Sequence, residues 1–278
     1  MKIIVLKFGG TSVGSIQRIS KVANIIKSYS KKYKVIVLAS AMSGTTNKLI
    51  NMSQKISKNF PDHEYDTLVS AGEQISCSLL SGQLLTKGLK SRSLMAWQIP
   101  ILTEGKHKYS RIKYINKTKI LKFLNSGTIP IIAGFQGVNK NFNITTIGRG
   151  GSDSSAIMFA KFFKAERCVI YTDVEGVYTT DPNKLNSANK IKNISYEEML
   201  EMASLGSKVM QPHSIQDARL NRIDIEVKSS FVEKPGTLIT KRKNIINNKI
   251  ITGISSTDND AKVTLLGVKD RPGIAASI

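Results

Sequence analysis

Uninterrupted runs of β-branched and aliphatic residues alternate with helical patterns along most of this chain. The runs occupy residues 3–6, 35–39, 129–133 and 168–171. Apolar residues recur at helical spacing over residues 16–29, 65–85 and 154–163. A strand that is apolar at every position is buried on both faces, which is typical of a parallel sheet with helices on each side. The alternation therefore predicts an α/β fold: a three-layer αβα sandwich with a mainly parallel central sheet.

Ligands of such sheets bind beyond the carboxyl ends of the strands, so we expect function in the loops that follow the apolar runs. The first of these loops is Lys7-Phe8-Gly9-Gly10-Thr11-Ser12. Its glycines allow backbone N–H groups to approach a phosphate, and Lys7 adds a mobile cation beside a helix N-terminus. The loop is neither GxxxxGK[ST] nor a complete GxGxxG, so a purely structural turn is the alternative interpretation.

A second glycine loop, residues 148–155, also opens a helix. Ser152 or Asp153 is suited to cap that helix. Arg149 is suited to hold a carboxylate through two parallel hydrogen bonds. A flexible turn with a surface arginine is the alternative, but two such loops in one chain favour an anion-binding site.

Other loops carry polar groups at similar places. Residues 40–46 leave the second strand with several hydroxyl groups, which suit either a small polar substrate or an ordinary helix cap. Glu73 lies within a mostly apolar helix, so it is either paired in the core or faces a cleft and binds an ammonium group. The turn-rich loop 171–182 is suited to cover a nucleotide, and Lys208 supplies a second mobile cation beside a Gly-Ser turn.

The charge balance limits the choice of partners. The 278 residues include 41 Lys+Arg and 20 Asp+Glu, a net charge of +21. Lysine predominates over arginine, and the basic residues are spread along the chain without interleaved aromatic residues for base stacking. We therefore expect a solvated basic surface that attracts anionic substrates such as ATP, and no nucleic-acid partner.

Membrane, secreted and metal-binding classes are not indicated. No apolar run approaches the ~20 residues of a membrane span, and no signal peptide is recognisable, so a cytoplasmic protein is expected. Cys77 and Cys168 are too far apart for a disulfide framework or a zinc site. The three histidines are scattered, and no metal site is expected.

The pattern changes near Lys241. Residues 241–249 are polar and basic and suit a linker, whereas 250–254 and 262–268 have the composition of strands. About thirty residues cannot bury a core of their own. We therefore expect one domain over residues 1–243, and over 244–278 a linker with the incomplete start of a second, α+β domain.

Six motifs, taken in order and with their spacing, resemble the amino acid kinase family. They are Lys7–Val13, Ser40–Met42, Gly134–Gly137, Gly148–Asp153, Thr172-Asp173 and Gly206–Val209. The resemblance runs from Lys2 to about Thr240 and implies the catalytic domain and fold of that family over 1–243. Residues 263–273 resemble the start of an ACT regulatory domain.

The resemblance also implies an activity: transfer of the γ-phosphoryl group of ATP to the β-carboxylate of L-aspartate, the first step toward lysine, threonine and methionine. Mg²⁺ would arrive with ATP, and the full-length protein would form a homo-oligomer. The implied catalytic residues are Lys7, Asp153 and Lys208. The implied ATP contacts are Lys7, Phe8, Gly9, Gly10, Thr172, Asp173, Tyr178, Asn183, Lys208 and Val209. The implied aspartate contacts are Ser40, Thr45, Thr46, Glu73, Arg149, Ser152 and Asp153.

Two positions depart from the family pattern, and three alternatives stay open. Asn183 stands where an arginine is common, and Pro212-His213 replaces a Pro-Arg pair. The alternatives are a family member with another acceptor (glutamate, acetylglutamate or a nucleoside monophosphate), a non-catalytic amino-acid sensor on the same scaffold, and a basic nucleic-acid binder. The retained Lys7 and glycine pair disfavour the sensor.

Overall fold

A computed structural model describes residues 1–207, 209–241 and 251–256. Its strands are β1 (Ile3–Phe8), β2 (Lys34–Ala39), β3 (Ser91–Leu94), β4 (Ile101–Glu104), β5 (Arg111–Ile115), β6 (Ile129–Ala133), β7 (Gln136–Val138), β8 (Ile144–Thr146), β9 (Cys168–Thr172), β10 (Asn193–Ser195), β11 (Ile225–Ser229) and β12 (Thr237–Thr240). Its helices are α1 (Ile16–Ser30), α2 (Thr45–Ile56), α3 (Asp62–Thr86), α4 (Lys117–Asn125), α5 (Gly151–Phe162), α6 (Tyr196–Ser204) and α7 (Pro212–Asn221).

Eight strands form the central sheet in the order β10-β12-β11-β9-β1-β2-β6-β3. Every neighbouring pair is parallel except β11 and β12. The strands with continuous apolar runs, β1, β2, β6 and β9, lie at its centre, because only there are both faces covered. A smaller sheet with the order β5-β4-β7-β8 lies beside it.

Alternate residues of β1 enter two separate cores. Ile4, Leu6 and Phe8 pack with residues of α1 and α3 on one face. Val5 packs on the other face, with residues of α4, α5, α6 and α7. The three-layer αβα sandwich predicted from the sequence is therefore confirmed.

Two local predictions were wrong. Helix α5 begins at Gly151 and follows Gly150, whose φ is 69°, so Ser152 and Asp153 lie in the first turn and neither caps the helix. Residues 251–256 form no strand. The linker expected over 241–249, apart from Lys241, and the ACT-like segment expected over 263–273 lie outside the described residues. Among the helices of the described residues, none has the length and apolar character that crossing a membrane requires.

Candidate active site

The carboxyl ends of the four central strands lie at one edge of the sheet. The Ser40 N–H donates to the Phe8 carbonyl (3.0 Å), the Gly134 N–H to Ala39 (3.1 Å), and the Gly9 N–H to Tyr171 (3.0 Å). Each of these hydrogen bonds extends the sheet by one residue into a loop. The loops after β1, β2, β6 and β9 are thereby brought side by side, as the sequence predicted.

A cavity of about 760 Å³, which we call the acceptor cavity, lies at this edge. Eight residues proposed from the sequence line it: Lys7, Gly10, Ser40, Thr46, Glu73, Arg149, Ser152 and Asp153. Thr45 is not among the lining residues, and its methyl group packs towards Gly72 of α3. The two glycine loops that the sequence analysis singled out therefore share one cavity.

The carboxyl end of β1 holds a buried cation. The Lys7 ammonium forms an ion pair with Asp153 Oδ1 at 2.6 Å, and both side chains are largely buried. Asp153 lies in the first turn of α5, where a carboxylate is stabilised by the helix dipole. The Lys7 ammonium is thus fixed beyond the strand end, where an incoming anion can contact it.

Close packing explains the second glycine of this loop. A Cβ at Gly10 would lie 2.7 Å from the Ala41 carbonyl oxygen. The Ser43 N–H donates to the Gly10 carbonyl at 3.1 Å. The loops after β1 and β2 therefore pack backbone against backbone, and any side chain at Gly10 would separate them.

Glu73 is a buried carboxylate that faces the acceptor cavity. Only 3 % of the residue is exposed. Its Oε1 accepts a hydrogen bond from the Ala41 N–H at 3.0 Å, and its Oε2 has no partner among the described residues. Burial raises the pKa of Glu73 to about 8, and the hydrogen bond from Ala41 opposes this only in part. An ammonium group placed at Oε2 would restore the ionised form.

Arg149 lies in the cavity wall between Gly148 (φ 83°) and Gly150 (φ 69°). It forms no ion pair with any residue of the ranges 1–207, 209–241 and 251–256. The cavity therefore combines a buried carboxyl group, Glu73, with an uncommitted guanidinium. That combination fits a zwitterion with a further anionic group.

A second cavity, of about 480 Å³, lies beyond β9, and we call it the nucleotide cavity. The residues proposed from the sequence that line it are Thr172, Asp173, Tyr178, Asn183 and Val209. Asn183 is held by Asp181, whose Oδ1 accepts from its backbone N–H at 2.9 Å. Lys208 lies outside the described residues, although its neighbours Ser207 and Val209 line this cavity.

The remaining proposed residues of the β1 loop, Phe8 and Gly9, line neither cavity. The Phe8 ring is fully buried and stacks on Tyr171, with ring centroids 4.8 Å apart. A contact of Phe8 with a nucleotide would therefore have to come from its backbone.

Sequence reasoning missed one wall of each cavity. Tyr65, Lys108, Tyr109 and Thr146 line the acceptor cavity. Residues 254–256 line the nucleotide cavity, where the Ile254 N–H donates to the Thr179 carbonyl at 2.7 Å. One signal for the first wall was available: Asp66 precedes Glu73 by seven residues, two helical turns, so both acids lie on one face of α3.

The fold and the two cavities define a small-molecule phosphotransferase, and comparison with known proteins identifies its family. Residues 2–229 match the profile of the amino acid kinase family. The chain belongs to that family. Its curated relatives include the aspartokinase of Geobacillus stearothermophilus, 46% identical over 97% of this chain and 66% of the relative. The aspartokinase of Pseudomonas aeruginosa is 45% identical over 100% of this chain and 68% of the relative.

Comparison with solved structures gives the same family. Aspartate kinase from Synechocystis has a TM-score of 0.76 and 41% identity, over 86% of this chain and 40% of that one. Aspartokinase III of E. coli, solved in complex with aspartate and ADP, has a TM-score of 0.80 and 27% identity, over 89% of this chain and 66% of that one. The chain thus spans about two thirds of the length of the curated relatives named above.

Proposed function

We propose that this chain catalyses the ATP-dependent phosphorylation of the β-carboxylate of L-aspartate, which yields 4-phospho-L-aspartate. One observation carries the proposal: in the part of the chain that the structure describes, Glu73 presents a buried oxygen without a partner to the same cavity as Lys7 and Arg149. In this assignment Glu73 binds the substrate ammonium, and Arg149 binds its α-carboxylate through two hydrogen bonds. The β-carboxylate then extends towards Lys7. The relatives named aspartokinase support the same substrate.

The nucleotide cavity is assigned to ATP. It lies beyond β9, and β9 pairs directly with β1, whose last residues lead into the Lys7–Gly10 loop. A triphosphate that extends from Thr172 and Asp173 along this loop brings its terminal phosphoryl group to the Lys7 ammonium. Lys208 is assigned as a second phosphate contact, and Mg²⁺ as an ion carried by the nucleotide.

The chemistry requires alignment and charge neutralisation, because the nucleophile is already ionised. A free aspartate side chain has a pKa of about 3.9, so no general base is needed at neutral pH. Asp153 therefore positions Lys7 and accepts no substrate proton. Lys7 and the backbone amides of the glycine loops stabilise the charge on the migrating phosphoryl group.

The remaining assignments concern location, assembly and the C-terminal segment. We propose that the protein works in the cytoplasm as a homo-oligomer, and that residues 244–278 hold a linker and the start of an ACT-like regulatory domain. The product would enter the biosynthesis of lysine, threonine and methionine.

The direct test is detection of the acyl phosphate as its hydroxamate. Purified chain is incubated with MgATP and, in parallel, with aspartate, glutamate, acetylglutamate or a nucleoside monophosphate, and ADP formation is measured as well because a nucleoside diphosphate product gives no hydroxamate. We expect product with aspartate alone. Product with a different acceptor, or none with any acceptor in a folded sample, would refute the assignment.

A further inference from the structure

Asp66 is a fully buried acid that the proposed chemistry does not use. Its Oδ2 contacts His107 Nδ1 at 2.6 Å, and its Oδ1 accepts from the Thr146 hydroxyl at 2.6 Å. The Lys108 N–H donates to both oxygens at 3.1 Å. One carboxylate of α3 thus holds the loop between β4 and β5, 41 residues away in sequence at His107, and the end of β8, 80 residues away at Thr146.

The loop that Asp66 holds forms the outer wall of the acceptor cavity. Lys108 and Tyr109 both line this cavity. The Lys108 ammonium forms an ion pair with Asp62 and lies 4.5 Å from the centre of the Tyr65 ring. The tip of the loop is therefore attached to the first turn of α3 as well as to Asp66.

The same loop supports the segment that carries Arg149. A Cβ at Gly148 would lie 3.1 Å from the Lys108 carbonyl oxygen and 3.5 Å from the Tyr109 ring. The Ser110 N–H donates to the Thr146 carbonyl at 3.0 Å. Displacement of residues 107–109 would consequently move the backbone on which Arg149 stands.

Lys108 adopts a backbone conformation that requires support. Its φ is 68°, in the left-handed region that a residue with a long side chain rarely occupies. Such conformations persist only where surrounding contacts enforce them, and they cluster at ligand sites. Here the enforcing contacts are the two hydrogen bonds from the Lys108 N–H to Asp66.

We propose that Asp66 is a positioning residue for the acceptor: with His107 and Thr146 it holds residues 107–109 against the Gly148–Arg149 segment, so that the acceptor cavity is formed before aspartate binds. The inference rests on the proposed function, because it assigns the substrate of that cavity. Asp66 lies behind the wall and makes no contact with substrate, so its removal should weaken aspartate binding and spare phosphoryl transfer.

The test compares Asp66→Asn with Asp224→Asn. Asp224 also accepts two side-chain hydrogen bonds, from Tyr196 and Thr240, but it lies at the amino end of β11, at the opposite edge of the sheet. We expect Asp66→Asn to raise the KM for aspartate about tenfold or more, the scale of losing a hydrogen bond to a charged group. The KM for ATP and the kcat at saturating aspartate should change less than threefold. Asp224→Asn should lower Tm and leave all three constants unchanged.

A second pair of variants separates positioning from folding. His107→Asn retains a donor near the position of Nδ1 and should keep the KM for aspartate near the wild-type value. His107→Ala removes the donor and should raise it. Backbone hydrogen exchange of residues 105–110 should already be slow in the unliganded wild type, because the loop is held before aspartate binds, and it should be faster in unliganded Asp66→Asn. If Asp66→Asn does not fold, the KM values for aspartate of the two His107 variants test the positioning role.

The outcomes distinguish the proposed function from the positioning role of Asp66. A wild-type chain without aspartyl phosphate formation refutes the proposed function. An active wild type whose Asp66→Asn and His107→Ala variants keep the KM for aspartate refutes only the positioning role. A fall in kcat with unchanged KM also refutes it, because it would place Asp66 in the phosphoryl-transfer step.

Discussion

The burial of Glu73 predicts an unusual pH dependence of stability for the unliganded chain. Its pKa is about 8 in the folded state, against 4.5 for an exposed glutamate. The folded chain therefore binds this proton more tightly than the unfolded chain. The resulting stabilisation is fully present below pH 4.5 and is lost as the pH rises through 8.

The size of the effect follows from the same two values. Their difference of about 3.5 pH units corresponds to on the order of 5 kcal/mol, at about 1.4 kcal/mol per unit. Only 3 % of Glu73 is exposed, so solvent screening reduces this figure little. Glu73→Gln keeps an oxygen to accept from the Ala41 N–H and cannot titrate. Its free energy of unfolding should therefore exceed that of the wild type at pH 8.5 by several kcal/mol, and the two should converge near pH 5.

Urea unfolding at half-unit steps from pH 5 to 8.5 measures this difference directly. Glu201→Gln, at an exposed position of α6, is the matched control and should parallel the wild type. Saturating aspartate at pH 8 should stabilise the wild type more than Glu73→Gln, because only a carboxylate pairs with the ammonium group. Parallel curves for wild type and Glu73→Gln over this range would refute both the raised pKa and the reasoning from burial.

Three further substitutions test separate parts of the site. Lys7→Ala should lower kcat ~10²–10³-fold, the usual cost of losing one charge-stabilising donor, with a small change in the KM for aspartate. A kcat within threefold of the wild-type value in steady-state assays would remove Lys7 from the mechanism. Arg149→Ala should mainly raise the KM for aspartate, and Arg149→Lys should restore only part of the affinity because lysine has no planar pair of donors. Gly10→Ala should impair turnover, because its Cβ would lie 2.7 Å from the Ala41 carbonyl oxygen. Gly82 lies at an exposed position of α3, where an added Cβ would have no described atom within 4 Å outside its own helix backbone. Gly82→Ala should therefore raise the free energy of unfolding by roughly 0.5–1 kcal/mol. Equal effects of the two alanine substitutions would contradict the packing argument.

The sequence predicted the features that depend on neighbouring residues. Continuous apolar runs located the central strands because burial on both faces leaves no polar positions in them. Glycines before a helix located both glycine loops that line the acceptor cavity. Glu73 was recognisable as an acid in an apolar helix, although the sequence left open whether it was paired, and the structure leaves its Oε2 without a partner in the described residues.

Features that depend on distant contacts were not predictable. The Thr146 hydroxyl donates to Asp66, 80 residues away in sequence, and no local sequence pattern predicts that hydrogen bond. The start of α5 was misplaced because Gly150 supplies the turn by its backbone, with no side-chain cap to recognise. Residues 250–254 were taken for a strand from their composition, whereas Ile254 and Thr252 make hydrogen bonds to Thr179 and Glu198 and no strand forms over 251–256.

The residues that line the two cavities come from separate parts of the chain, and this affects the order in which the ribosome makes them. All residues that line the acceptor cavity lie between positions 7 and 153, whereas those of the nucleotide cavity run from 172 to 256. Translation proceeds from the N-terminus, so the acceptor cavity has its complete set of lining residues about one hundred codons before the nucleotide cavity. Because a domain folds as a unit and both cavities lie on one central sheet, those earlier residues must wait for β9 to β12 before either cavity forms.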